Sequence, residues 1–218
     1  MTYYKTTKRN GMSFRGNVKY EVGKTVEVEK CKNPQLCSSD VLHASAKPLD
    51  ALSYAGTLDC NLYEVEGNPA VEDDRKSGFF SLTIVREVPD GEKDQVFGFK
   101  FNEALHPINP ASIRRKVSAK DIENLKLWDS VRDSVWASVR DSVWASVRDS
   151  VWAYVGSLFP AIQKWVYMEH EKGVYPFQPA LDLWKRGFIP VQIEGEWKLY
   201  HPVKGKPAIC VYEGEGVR

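Results

Sequence analysis

The chain has 218 residues, 43% of them hydrophobic, with 30 Lys plus Arg against 29 Asp plus Glu. That length supports one large domain or two small ones, each with a core that needs neither disulfides nor metals. The balanced charge gives no global positive field for a nucleic-acid backbone, and no stretch approaches the ~18 apolar residues of a membrane span.

From Thr2 to about Val88 the pattern is β-rich. Asn17 to Val22 alternates polar and apolar residues ahead of Gly23, and Thr25 to Glu29 alternates again, which predicts a hairpin around Gly23-Lys24. Leu62 to Glu66 and Phe79 to Arg86 read as further strands, ended by Gly67-Asn68-Pro69 and Pro89-Asp90-Gly91. Between them Pro48 to Ala55 has proline at a helix start and apolar residues at helical spacing, ending at Gly56. His106-Pro107-Ile108-Asn109-Pro110 excludes regular structure and marks a boundary. Ser118 is then a helix N-cap with Asp121 at the third helical position.

Residues 130–153 are three identical copies of Ser-Val-Arg-Asp-Ser-Val-Trp-Ala. Valines recur every four residues, so on a helix their stripe advances by about 40° per step. On a strand every residue type would keep its face, which leaves a short β-solenoid as the alternative. Arg132, Trp136, Arg140, Trp144, Arg148 and Trp152 fall at successive i, i+4 positions, where guanidinium can lie on indole, and this favours the helix. Trp128 leads into the array, and tryptophans spaced by eight step about 80° per copy, so they cannot all face one core. Beyond the array, helices are expected from Pro160 to Met168 and from Phe177 to Arg186, followed by strands at Ile189 to Ile193, Trp197 to His201 and Ala208 to Tyr212.

The predicted architecture is α+β: an N-terminal mixed sheet with a short helix over residues 1–105, a linker over 106–117, a repeat-bearing long central helix over 118–159, and C-terminal helices with a small β-meander over 160–218. Arg15-Gly16, Tyr20 to Lys24, Leu42 to Ser45, Pro48 to Tyr54 and Leu62 to Gly67, with the octads and the closing Leu183-Trp184 to Leu199-Tyr200 block, resemble an uncharacterised family of phage, prophage and gut-bacterial proteins. In that family an N-terminal domain of unknown function heads a tandem-repeat segment. The resemblance implies a phage or mobile-element setting and no activity. With the polar segment Met1 to Asn10, which lacks a signal peptide's apolar region, it places the protein in the cytoplasm of a bacterial host.

Phe14-Arg15-Gly16, Ser38-Ser39 and a carboxylate at Glu64 or Glu87 resemble, in order, the Arg, Ser and Glu of ADP-ribosyltransferases. The resemblance implies that Arg15 holds NAD phosphates, Ser38 orders the site and Glu64 stabilises the oxocarbenium-like ribose. The Ser-Thr-Ser signature of that family is absent as written, and Glu64-Val65-Glu66 has the right Glu-x-Glu spacing but follows too soon after the serines. The same residues also read as turn positions and the wet face of a strand. His43 and Ser45, just ahead of the Pro48 helix, mark a candidate ligand pocket. Cys31, Cys37, His43 and Cys60 are not at a common zinc-ligand spacing, and no metal is expected. The leading expectation is a non-enzymatic assembly protein that binds itself or another protein through the Trp/Arg/Val array, with no cofactor. The alternative is an NAD- or nucleotide-binding enzyme built on the N-terminal domain.

Overall fold

The structure is a computed structural model that describes residues 1–16, 18–136, 143–165 and 170–214, with the side chains of 132–148 outside the description. It divides into two compact units, Met1–Leu105 and His106–Arg218.

In the first unit, β1 (Tyr3–Thr7), β4 (Asn61–Glu66), β7 (Ser81–Val88) and β2 (Thr25–Glu27) form a sheet of order β1-β4-β7-β2. A second sheet has the order β3-β6-β5, from β3 (Leu42–Ala44), β5 (Pro69–Glu72) and β6 (Ser77–Phe79). Every pairing is antiparallel, so the expected mixed sheet is corrected. A parallel pair would need a crossover between neighbouring strands, and the helices of this unit supply none. The expected hairpin around Gly23 is also corrected: β2 pairs with β7 through Val26 and Leu82, and the bend at Gly23 (φ 78°) bonds its N–H to the Ile84 carbonyl.

Alternation drives the core. Tyr3, Leu42, Ala44, Tyr63, Val65, Phe79, Leu82 and Ile84 pack together with Tyr20, and burying each large side chain stabilises the fold by about 1.5–3 kcal/mol. Helix α1 (Pro48–Ser53) sits on β1, where Thr6 Oγ1 donates to the Ala51 carbonyl at 2.9 Å. Helices α2 (Asp90–Phe97) and α3 (Phe101–Leu105) were not expected from the sequence. They enclose a separate cluster of Leu62, Val88, Phe97 and Phe101.

In the second unit, the connector after His106 carries one turn of 3₁₀ helix at Pro110–Ser112, which corrects the expectation of no regular structure there. Helix α4 (Ala119–Trp136) follows Ser118, whose N–H and Oγ both donate to Asp121 Oδ2, at 2.7 and 2.6 Å. Helix α5 (Val143–Ser157) and α4 both pack on α6 (Gln178–Lys185). Leu125 and Trp128 of α4 share one core with Ala153 of α5 and Leu183, Phe188, Trp197 and Leu199. In a single straight helix Trp128 and Ala153 would stand about 37 Å apart. The long central helix is therefore replaced by two helices against one core. The solenoid alternative is corrected too, because the described ends of the array are helical. Residues 160–165, expected to begin a helix, are not helical, and 166–169 lie outside the described residues. Strands β8 (Ile189–Ile193), β9 (Glu196–Val203) and β10 (Lys206–Gly214) form the antiparallel meander expected.

One buried ion pair anchors the start of α4. Asp121 is fully buried and accepts from Arg186 and Ser118. Burial opposes its charge, but the bonds from Arg186 and Ser118 outweigh that and hold the carboxyl below its usual range. Its contribution is present above the unfolded-state value near 3.9 and is lost as pH falls through the lower folded value. Asp121→Ala should destabilise the protein by about 2 kcal/mol in urea unfolding at pH 7, with the difference from wild type shrinking in acid.

Candidate anion-binding cavity

The strand pattern that builds the first core also builds a cavity beside it. On β3, Leu42 and Ala44 point into the core and His43 points the opposite way. On β1, Lys5 lies over the Tyr20 ring, with Nζ 5.2 Å from the centroid. Tyr4 and Ser45 exchange backbone hydrogen bonds of 2.7 and 2.9 Å, which seats the end of β3 against the free edge of β1. The space between these strands, Ser13 to Arg15, Val18, Tyr20 and α1 is a cavity of about 320 Å³.

Its walls carry Lys5, Arg15, His43 and Lys76, the hydroxyls of Ser13, Ser38, Ser39 and Ser45, and the rings of Tyr4, Tyr20 and Tyr54. No aspartate or glutamate is among its described lining residues. Lys5, Arg15 and Lys76 make no ion pair among the described residues. This contrasts with Arg9, Arg75 and Arg86 of the same unit, each of which is held by a carboxylate. The turn that presents Lys76 is fixed by Asp73, whose Oδ1 accepts from the N–H groups of Arg75 and Lys76 at 2.9 and 2.6 Å. Lys76 Nζ then donates to Cys37 Sγ at 2.7 Å and stands 4.9 Å from the centre of the Tyr54 ring.

The electrostatics follow from this concentration of positive charge. Burial, with Lys5, Lys76 and Arg15 adding repulsion, brings His43 down to about 4. Its Nε2 accepts from the Cys37 N–H at 3.0 Å, so at neutral pH the ring is uncharged with its proton on Nδ1. Burial alone brings the Lys5 ammonium down to about 8. Burial also pushes Tyr20 up to about 12, so its hydroxyl stays protonated and can donate.

The cavity gathers some of the residues singled out in the sequence and leaves others elsewhere. Arg15, Ser38, His43 and Ser45 line it together. Glu64 does not, because it lies on β4 and accepts from Arg86 at 2.7 and 3.0 Å. Cys60 is buried at the head of β4, apart from Cys37 and His43, and no cluster suited to a metal occurs among the described residues. Of the array residues, Trp128 is 1% exposed and belongs to the core of the second unit, which corrects its assignment to an association surface; Trp152 is 60% exposed. The side chains of Arg132, Trp136, Arg140, Trp144 and Arg148 lie outside the described residues. Sequence reasoning did not assign Lys5, Tyr54 or Lys76 to a ligand site, and it considered Cys37 only as a zinc ligand. For Lys5 a signal existed, a lysine within the aromatic and β-branched run Tyr3-Tyr4-Lys5-Thr6-Thr7.

The His43 environment gives a direct pH dependence. Its folded value lies below the unfolded one near 6.5, so the unfolded state binds more protons between about 4 and 6.5 and stability falls as pH drops through that window. An NMR titration should leave His43 neutral at pH 5.5, and Lys76→Met should move its midpoint upward.

No helix among the described residues is long and apolar enough to cross a membrane. A family model described as a domain of unknown function (DUF7666) matches residues 1–93, a span that contains every residue lining the cavity. No curated protein matches, and no solved structure matches.

Proposed function

We propose that the first unit binds a small anionic molecule, phosphorylated or carboxylated, with an unsaturated or aromatic portion set among the tyrosines. The observation that carries this reading is the uncompensated charge: three cations line one cavity without a single carboxylate among its described lining residues. Keeping like charges together costs energy, so an anion bound among them relieves their repulsion. Arg15 offers a planar fork for two anion oxygens, and Lys76 and Lys5 offer point charges. The volume, near the lower limit of small-molecule sites, suits a mononucleotide-sized ligand or a smaller one. ADP-ribosyl transfer is less well supported, because its positive ribose centre would face cations while Glu64 is engaged by Arg86.

Inorganic phosphate should perturb the His43 ring resonances saturably and raise the midpoint of its titration. Arg15→Ala should weaken that binding by tenfold or more, equivalent to about 1.4 kcal/mol. Because anion binding favours charged Lys5, affinity should decline as pH rises through about 8. Phosphate that leaves His43 unmoved at millimolar concentration would refute the reading.

Association through the array is a second proposal, supported by one feature of α5. Its inward face carries Asp149, Ser150, Ala153, Tyr154 and Ser157, which leaves Val151 and Trp152 38% and 60% exposed. An exposed tryptophan beside a valine suits a partner's apolar surface. On this proposal Trp152→Ser lowers the mass seen by native mass spectrometry from a multiple of 24.8 kDa to the single chain; a wild-type protein that is already monomeric and captures no second copy would oppose it.

A further inference from the structure

We propose that Lys5 is a covalent site in the same cavity, forming a Schiff base with a small aldehyde or ketone that carries a carboxylate or phosphate. The inference rests on the anion-binding reading, which supplies the means of holding such a molecule. Three observations narrow it to Lys5 and to carbonyl chemistry.

The first is the unpaired state of the amine. Lys5 lines the cavity from β1, and its Nζ makes no hydrogen bond or ion pair among the described residues and lies over the face of Tyr20. Structural lysines of this unit behave otherwise. Lys93 is fully buried, and its Nζ donates to the Cys60 carbonyl at 2.8 Å and to Asp90 at 2.6 Å. Lys76 donates to Cys37 Sγ.

The second is the balance of protonation. Withdrawal from water leaves Lys5 near 8, so at neutral pH a useful fraction is the free amine, the form that attacks a carbonyl carbon. An ordinary lysine near 10.4 offers about two hundred times less free amine at the same pH.

The third is the division of labour among the other cations. Arg15 and Lys76 line the same space, and both repel the His43 proton. With the acidic end of the ligand held there, its carbonyl can be presented to Lys5.

The step needs no oxidant and no cofactor. The Nζ lone pair adds to the carbonyl carbon, a proton passes from nitrogen to oxygen, and the resulting carbinolamine expels water to leave the C=N bond. Both amine protons leave with the carbonyl oxygen in that water.

The test is reductive trapping of the full chain with glyoxylate and cyanoborohydride at pH 7.4, read by peptide mapping. Lys8, exposed and three residues away, is an internal control. Lys5 should acquire the carboxymethyl group at least about tenfold faster than Lys8, inorganic phosphate should slow Lys5 alone, and Lys5→Arg should abolish the fast phase. Lys5 labelling no faster than Lys8, in protein whose His43 still responds to phosphate, would overturn the covalent role and leave the anion site standing. Fast Lys5 labelling that phosphate does not slow would overturn it too, by separating the amine from the anion site. Loss of the His43 response in wild type would instead defeat the anion reading on which the inference depends.

Discussion

The cavity depends on β1 being paired along both edges. One edge runs antiparallel to β4, and at the other the Tyr4 and Ser45 backbones exchange two hydrogen bonds. Each bond contributes about 1 kcal/mol net, but the geometric effect is larger than the energy. It brings β3 and the 37–45 segment alongside β1, so that outward residues of both strands face the same space. With the register fixed by Leu42 and Ala44 on the core side, His43 has only the cavity to enter, and a slip of one residue would exchange them.

Charge accumulates there while several acidic residues of the unit are committed elsewhere. Asp59 and Asp90 hold Arg9, Asp50 holds Arg75, Glu64 and Glu92 hold Arg86, and Asp73 caps the turn before Lys76. A chain of near-neutral overall charge thereby contains a locally positive interior. Burial lowers both His43 and Lys5, with repulsion from the neighbouring cations adding to it at His43, and perturbed groups gathered in one concavity are the usual physical signature of a binding site. The left-handed backbone of Cys37 (φ 64°) is a strained conformation for a residue with a side chain, and it lies at the rim of this site.

Much of the fold was legible where alternation and turn chemistry are local. Helices α1 and α6, strands β4 and β7 and the terminal meander follow from patterns within a few residues of themselves. The partner of β2 was not legible, because Val26 meets Leu82 across a long stretch of chain and nothing near Gly23 encodes that choice. Helix α2 was hidden by Pro89-Asp90-Gly91, which signals a turn equally well whether a loop or a helix follows. In the site, Arg15, Ser38, His43 and Ser45 stood out, and the cavity unites them. The role suggested for Glu64 came from residue order alone, which carries no information about which face of β4 looks toward the cavity. In the array, the i, i+4 placing of Arg and Trp favoured a helix, but periodicity does not say that Trp128 and Ala153 meet in one core.

The measurement that bears most directly on the account is a crystal structure of the protein grown with tungstate, a heavy tetrahedral oxyanion whose density is unmistakable. The account requires the anion inside the first unit, bonded to Arg15 and Lys76 and close to Lys5, with the tyrosine rings around it. A cavity filled only by water under saturating tungstate, or Arg15 and Lys76 turned out to pair with carboxylates of the chain, would contradict it.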